Sequence, residues 1–148
     1  MTFLLDVNLL LTLHDPQHPN YRRASEWFRL RGAAHFATCP MTQTALVRLL
    51  MQGLPGLAAL ERQEAHHALR HLTEHSGHIF WPDLPAYLDA TNTVSRRIQG
   101  HRQVSDAYLL GLAVHNRGKL ATLDRGIRHL AGSNHSEHLE LIEPPTRR

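Results

Sequence analysis

The sequence has a single cysteine, Cys39, so no intramolecular disulfide can form. No apolar run approaches the roughly 20 residues that a membrane-spanning helix needs, and the N-terminus lacks the basic region and small-residue cleavage site of a secretion signal. Internal repeats and low-complexity tracts are missing as well. An excess of one charge is also lacking: sixteen Lys and Arg against thirteen Asp and Glu leave +3, a bias compatible with a polyanionic partner but not diagnostic of one. These absences lead us to expect a soluble, cytoplasmic protein with one domain spanning residues 1–148. Its 42% hydrophobic content suffices for a single core.

What is present alternates in type. Phe3 to Leu5 is a short aliphatic run followed by "DVNLLLTL", as a buried parallel strand turning into a helix would be. "HPNYRRASEWFRLRG" reads as a helix ending at Gly32, "AHFATC" as a second strand, and "MTQTALVRLLMQG" as a helix stopped by Gly53. The segment "GLAALERQEAHHALRHLTEHSG" shows apolar residues at helical spacing from Leu57 to Leu72, "HIFWP" reads as a third strand, and "AYLDATNTVSRRI" as a helix running to Gly100. "VSDAYLLGLAVHNRG" is the most apolar helix, closed by Gly118, and "KLATLD" and "LELIEPP" are the last two strands. Strands separated by helices predict an α/β fold, a three-layer α/β/α sandwich around a central parallel sheet. Cys39 falls at the end of a buried strand with no activating neighbours and reads as a packed thiol.

In such sheets, ligands bind beyond the carboxyl ends of the strands. Asp6 and Asp124 stand at two of those ends, and Asp106 opens the helix that precedes the "KLATLD" strand. Each could cap a helix or favour a helix dipole by itself. Three carboxylates on one rim repel each other, however, unless a hard divalent cation such as Mg²⁺ or Mn²⁺ lies between them. If they share such an ion, their oxygens should converge to within a few ångströms.

The stretches "LLDVNLLL", "ATCPMTQTALVRLL" and "HRQVSDAYLLGLAVHNRGKLATLDRGI" resemble PIN domains, specifically the VapC-type toxins of toxin–antitoxin pairs, over nearly the whole chain. The resemblance implies a metal-dependent endoribonuclease, usually homodimeric and held inactive by a VapB-like antitoxin. It gives Asp6, Asp106 and Asp124 the first, third and fourth acidic positions, as metal ligands and catalytic residues using Mg²⁺ or Mn²⁺, with Asn8 and Thr122 in support. The second acidic position departs from the pattern: Gln43, or in a neighbouring register Ala45, stands where the family usually has Glu.

Among basic groups, Arg102 and His101 precede Asp106 on a loop at the same edge, Arg48 lies further along the helix that carries Gln43, and Arg125 follows Asp124. Each could contact the RNA backbone or simply be solvated. His67, His71 and His75 are spaced four apart, a zinc-like interval without an identifiable outside ligand, and so read as an exposed stripe. Homodimerisation is expected through the apolar helices around Trp27, Phe28 and Leu46 to Leu50. Two rival functions remain. One is a PIN-like module that binds RNA or protein without cutting. The other is a magnesium-dependent phosphatase, disfavoured because Asn8 stands where a second Asp would be needed.

Overall fold

The computed structural model describes residues 1–144. Its five strands, β1 (Phe3–Leu5), β2 (Phe36–Thr38), β3 (His78–Phe80), β4 (Lys119–Thr122) and β5 (Leu139–Leu141), form one sheet of order β3-β2-β1-β4-β5. Every neighbouring pair is parallel. Parallel pairing requires a crossover between strands, and helices supply it on both faces. The expected α/β/α sandwich is therefore the observed one.

The strands are short and two-faced. Because successive side chains alternate, Phe3, Leu5, Phe36 and Ala121 join one core with Leu9, Leu46 and Leu50, from the helices α1 (Val7–His14) and α3 (Pro40–Gln52). Leu4, Ala37 and Leu120 join the other with α6 (Val104–His115) and α7 (Ile127–Ala131). Cys39 is buried in this second core as a free thiol, and burial raises its pKa. Between α5 (Tyr87–Thr91) and α6 the contact is very close: a Cβ on Gly111 would lie 2.1 Å from the Ala90 carbonyl oxygen.

Several expected boundaries shift. The helix expected from residue 56 begins only as α4 (Arg62–Thr73), because Gly53 and Gly56 both hold φ 81° and Leu54 and Leu57 exchange backbone hydrogen bonds. The segment expected as one helix to Gly100 breaks after α5. There the Thr91 hydroxyl bonds back to the Tyr87 carbonyl, and the chain resumes as a single 3-10 turn at Ser95–Arg97. The helix expected to reach Gly32 is α2 (Tyr21–Trp27) continued by a π-turn (Phe28–Gly32). The short α7 carried no clear periodic signal. The Pro145 that closes "LELIEPP" and the Arg tail lie outside the described residues.

The apolar groups expected to form a dimer surface are largely consumed by the core: Trp27, Leu46 and Leu50 are buried. Leu30 and Met51 beside them are exposed, and Phe80, Leu84, Tyr87 and Leu88 are a larger sequence-adjacent group of exposed apolar side chains. No helix among the described residues is long and apolar enough to cross a membrane.

Candidate active site

The sheet order reverses direction between β1 and β4, since β1 leads outward to β2 and β3 while β4 and β5 lie on its other side. A crevice at the carboxyl ends of two such strands is where open parallel sheets bind ligands. Asp6 directly follows β1 and Asp124 follows β4 by two residues. Register aligns them, because Leu5 pairs with Ala121 and the Asp6 N–H donates to the Ala121 carbonyl at 3.2 Å.

Asp6 is the N-cap of α1, its Oδ1 accepting from the Leu9 N–H at 2.8 Å. Its Oδ2 accepts from the Thr122 hydroxyl. The same Thr122 oxygen accepts from the Asp124 N–H at 3.0 Å, while Asp124 Oδ1 accepts from the Gly126 N–H at 2.8 Å. One fully buried hydroxyl thus holds one carboxylate directly and the backbone of a second. Asp106 enters from the first turn of α6, held by the seven consecutive buried residues Ala107 to Ala113 that follow it.

Electrostatics place all three acids in one field. Burial pushes the Asp6 carboxyl up to about 6, the hydrogen bonds from Thr122 and Leu9 oppose the rise, and the charges of Asp106 and Asp124 add to it. Asp106 is likewise pushed up to about 6, by burial first and the Asp124 charge second. Oxygen-only donors with mutual repulsion suit a hard divalent cation in chemistry. They do not form a closed cage: among the described residues, no three His, Cys, Asp or Glu side chains stand close enough to hold one ion together.

The chain is 40% identical over 132 residues to ribonuclease VapC29 of Mycobacterium tuberculosis, covering 89% of this chain and 92% of that protein. The chain belongs to the VapC ribonuclease family. Ribonucleases VapC44 and VapC38 of the same organism are 35% and 34% identical, with 86% and 94% of this chain covered, and 89% and 96% of theirs. The solved VapBC2 of Rickettsia felis, bound to a DNA fragment from its promoter, matches the fold with a TM-score of 0.67 at 11% identity, covering 97% of this chain and all of that one. FitAB, bound to an IR36 DNA fragment, matches at 0.65 and 19% identity, with 87% and 90% covered. No family model matches the sequence.

The other expected residues of this VapC chain divide into two groups. Asn8 is exposed on the first turn of α1, and Arg102, His101 and Arg125 are exposed on the segments that lead into α6 and out of β4. These surround the aspartate rim in sequence and in topology. Gln43 is half-buried and turns instead to the sheet: its Nε2 donates to Thr38 Oγ1 at 2.9 Å, and that oxygen lies 2.7 Å from His78 Nε2. Thr38 shares the strand face of Phe36, toward α3, so Gln43 is engaged beside the rim rather than across it. Arg48 is exposed further along α3.

His67 and His71 are exposed on α4, as expected of a solvated stripe. His75 lies past the helix, where its ring packs edge-on against Phe28 and Phe36 and its Nδ1 accepts from the Gly77 N–H at 3.0 Å. Sequence reasoning overlooked the Thr38–His78 pair. The available signal was a Thr closing a buried strand, next to a strand that opens on His.

Proposed function

We propose that this chain is a metal-dependent endoribonuclease, the toxin of a toxin–antitoxin pair, hydrolysing RNA phosphodiester bonds. The observation that carries the reading is the Thr122 hydroxyl that joins Asp6 to the Asp124 backbone across the switch point of the sheet, with Asp106 in the same electrostatic field. A Mg²⁺ or Mn²⁺ ion at this rim, for which Asp6, Asp106 and Asp124 would have to draw closer or contribute through waters, would supply positive charge against the scissile phosphate and favour deprotonation of a water. The chain's own groups do the rest. Thr122 positions Asp6, which keeps its place by capping α1, and the buried body of α6 fixes Asp106. Arg102 and Arg125, both exposed at the same edge, meet the RNA backbone, with Arg48 and Asn8 further contacts.

A VapB-like antitoxin is the expected inhibitor. The expected homodimer would form through the exposed Phe80, Leu84, Tyr87 and Leu88, burying on the order of 1,200 Å² or more in total. A second reading, a PIN-like module that binds RNA without cutting, is favoured by Gln43. That residue supplies no charge at the second acidic position, and its amide is bonded to Thr38. Cleavage of a panel of structured RNAs separates the two. Wild-type protein should cut with Mn²⁺ or Mg²⁺ and not with EDTA, and Asp6→Asn should cut at least about a hundredfold more slowly. Absence of cutting by the wild type, or equal cutting by the variant, would leave the binding module.

A further inference from the structure

Beside the aspartate rim, a depression of about 350 Å³ runs along α1. Asn8, Leu11, Thr12 and Asp15 line it at positions i, i+3, i+4 and i+7, a single stripe of helix that leads roughly 10 Å away from the rim. Leu54, Leu123 and Asp124 line it from outside α1, so the depression includes a residue of the candidate active site. Its size lies within the roughly 300–1,000 Å³ of small-ligand sites.

The polar groups here have defined roles. Asp15 is buried; its Oδ1 accepts from the Gln17 N–H at 3.0 Å, while among the described residues no hydrogen bond engages its Oδ2. His18 Nδ1 accepts from the Asn20 N–H at 3.0 Å, which puts the proton of the neutral ring on Nε2 and leaves that N–H as a donor. No lysine or arginine among the described residues lines the depression. Two carboxylates without a cation repel a phosphate. Together with the His18 N–H, the side-chain amides of Asn8 and Asn20 and aliphatic walls, they suit the edge of an unstacked base.

We propose that this trough is a base subsite that selects guanine in the RNA substrate, next to the scissile phosphate. Guanine is the base whose Watson–Crick edge offers two adjacent N–H donors, N1–H and N2–H, to one carboxylate, together with a carbonyl, O6, to accept from His18 Nε2–H. Adenine and cytosine present one amine each, and uracil presents a single N–H between two carbonyls. Asn20 also borders the neighbouring depression that contains Arg22 and Arg23, cations placed to meet the backbone of a nucleotide that enters the trough.

The proposal rests on the ribonuclease reading, and a binding experiment without metal keeps the two apart. Fluorescein-labelled r(UGUGUG), r(UAUAUA), r(UCUCUC) and r(UUUUUU) would be titrated with the full chain in EDTA and followed by anisotropy. The guanine hexamer should bind about tenfold more tightly than any other. Asp15→Asn keeps the oxygen that accepts from Gln17, and so the local turn, but should bring the affinities within about twofold of one another. Leu54→Trp, which fills the trough from outside α1, should do the same, and both variants should melt as folded proteins.

Equal wild-type affinity for all four hexamers, no binding to any of them, or a guanine preference that survives both variants would overturn the subsite. Loss of metal-dependent cleavage together with a retained, Asp15-dependent guanine preference would instead overturn only the ribonuclease reading.

Discussion

Two helices of 12 residues, α6 and α4, do opposite work in this protein. On α6 the residues from Ala107 to Ala113 are all buried, whereas on α4 only Ala65 is. The candidate catalytic carboxylate, Asp106, sits on the first, while the exposed histidines His67 and His71 sit on the second. A helix surrounded by protein has no freedom to rotate or slide, so a charged side chain at its first turn is aimed by the whole core behind it. A helix with one buried face can carry many titratable groups without aiming any of them.

That contrast should show first in stability. Leu110, fully buried at the centre of α6, should cost about 2–5 kcal/mol when replaced by Ala, read as a drop in denaturant midpoint at unchanged slope. A much smaller loss would mean that α6 is not the rigid support its burial implies.

The second test concerns the acid that α6 carries. Asp106 has its carboxyl pushed from 3.8 up to about 6 by burial and by Asp124, so between those values the folded state binds more protons than the unfolded one. Its contribution therefore favours folding at low pH and is lost as pH rises through about 6. Asp106→Asn should then be more stable than the wild type at pH 7.5 without metal, by on the order of 1 kcal/mol after discounting for solvent screening. The gap should narrow as pH falls through 6 and close only below about 3.8, where the carboxyl is protonated in both states. Measuring the difference between the two proteins, rather than either curve alone, cancels the titration of the many histidines. Addition of Mn²⁺ at pH 7.5 should raise the melting temperature of the wild type more than that of the variant.

Gln43 is carried by a third helix, α3. Gln43→Glu removes the N–H that now donates to Thr38, although the Thr38 hydroxyl can rotate to donate to the new carboxylate while His78 donates to Thr38. The expected cost is about 1 kcal/mol or less. Calorimetry should find Mn²⁺ affinity changed by less than about tenfold as long as the side chain keeps its place beside Thr38. A larger gain would mean that the new carboxylate swings across to the aspartates. The smallest effect belongs to α4: His71→Ala should stay within about 0.5 kcal/mol in thermal unfolding.

Much of this architecture is legible in the sequence, because short-range patterns encode it. Three-residue aliphatic runs that end at Asp or Thr, separated by stretches of helical period, are enough to predict a parallel sheet and to put Asp6, Asp106 and Asp124 near its carboxyl edge. Boundaries were less legible wherever a local device overrode the period. Gly53 and Gly56, with their positive φ, delayed α4, and the back-bonded Thr91 cut α5 short.

The class of fold, the sheet edge that carries Asp6, Asp106 and Asp124, and the family to which the chain belongs are all readable before folding. All of these depend on residue type and spacing along the chain. It takes the folded chain to bring the Thr122 hydroxyl to Asp6, 116 residues away, to turn Gln43 to Thr38, to send Trp27 and Leu50 to the core rather than to a partner, and to place Asp15 along a trough beside Asp124. Each depends on strand register and on which helix packs over which strand. Those are properties of pairs of residues far apart in sequence, and no local period records them.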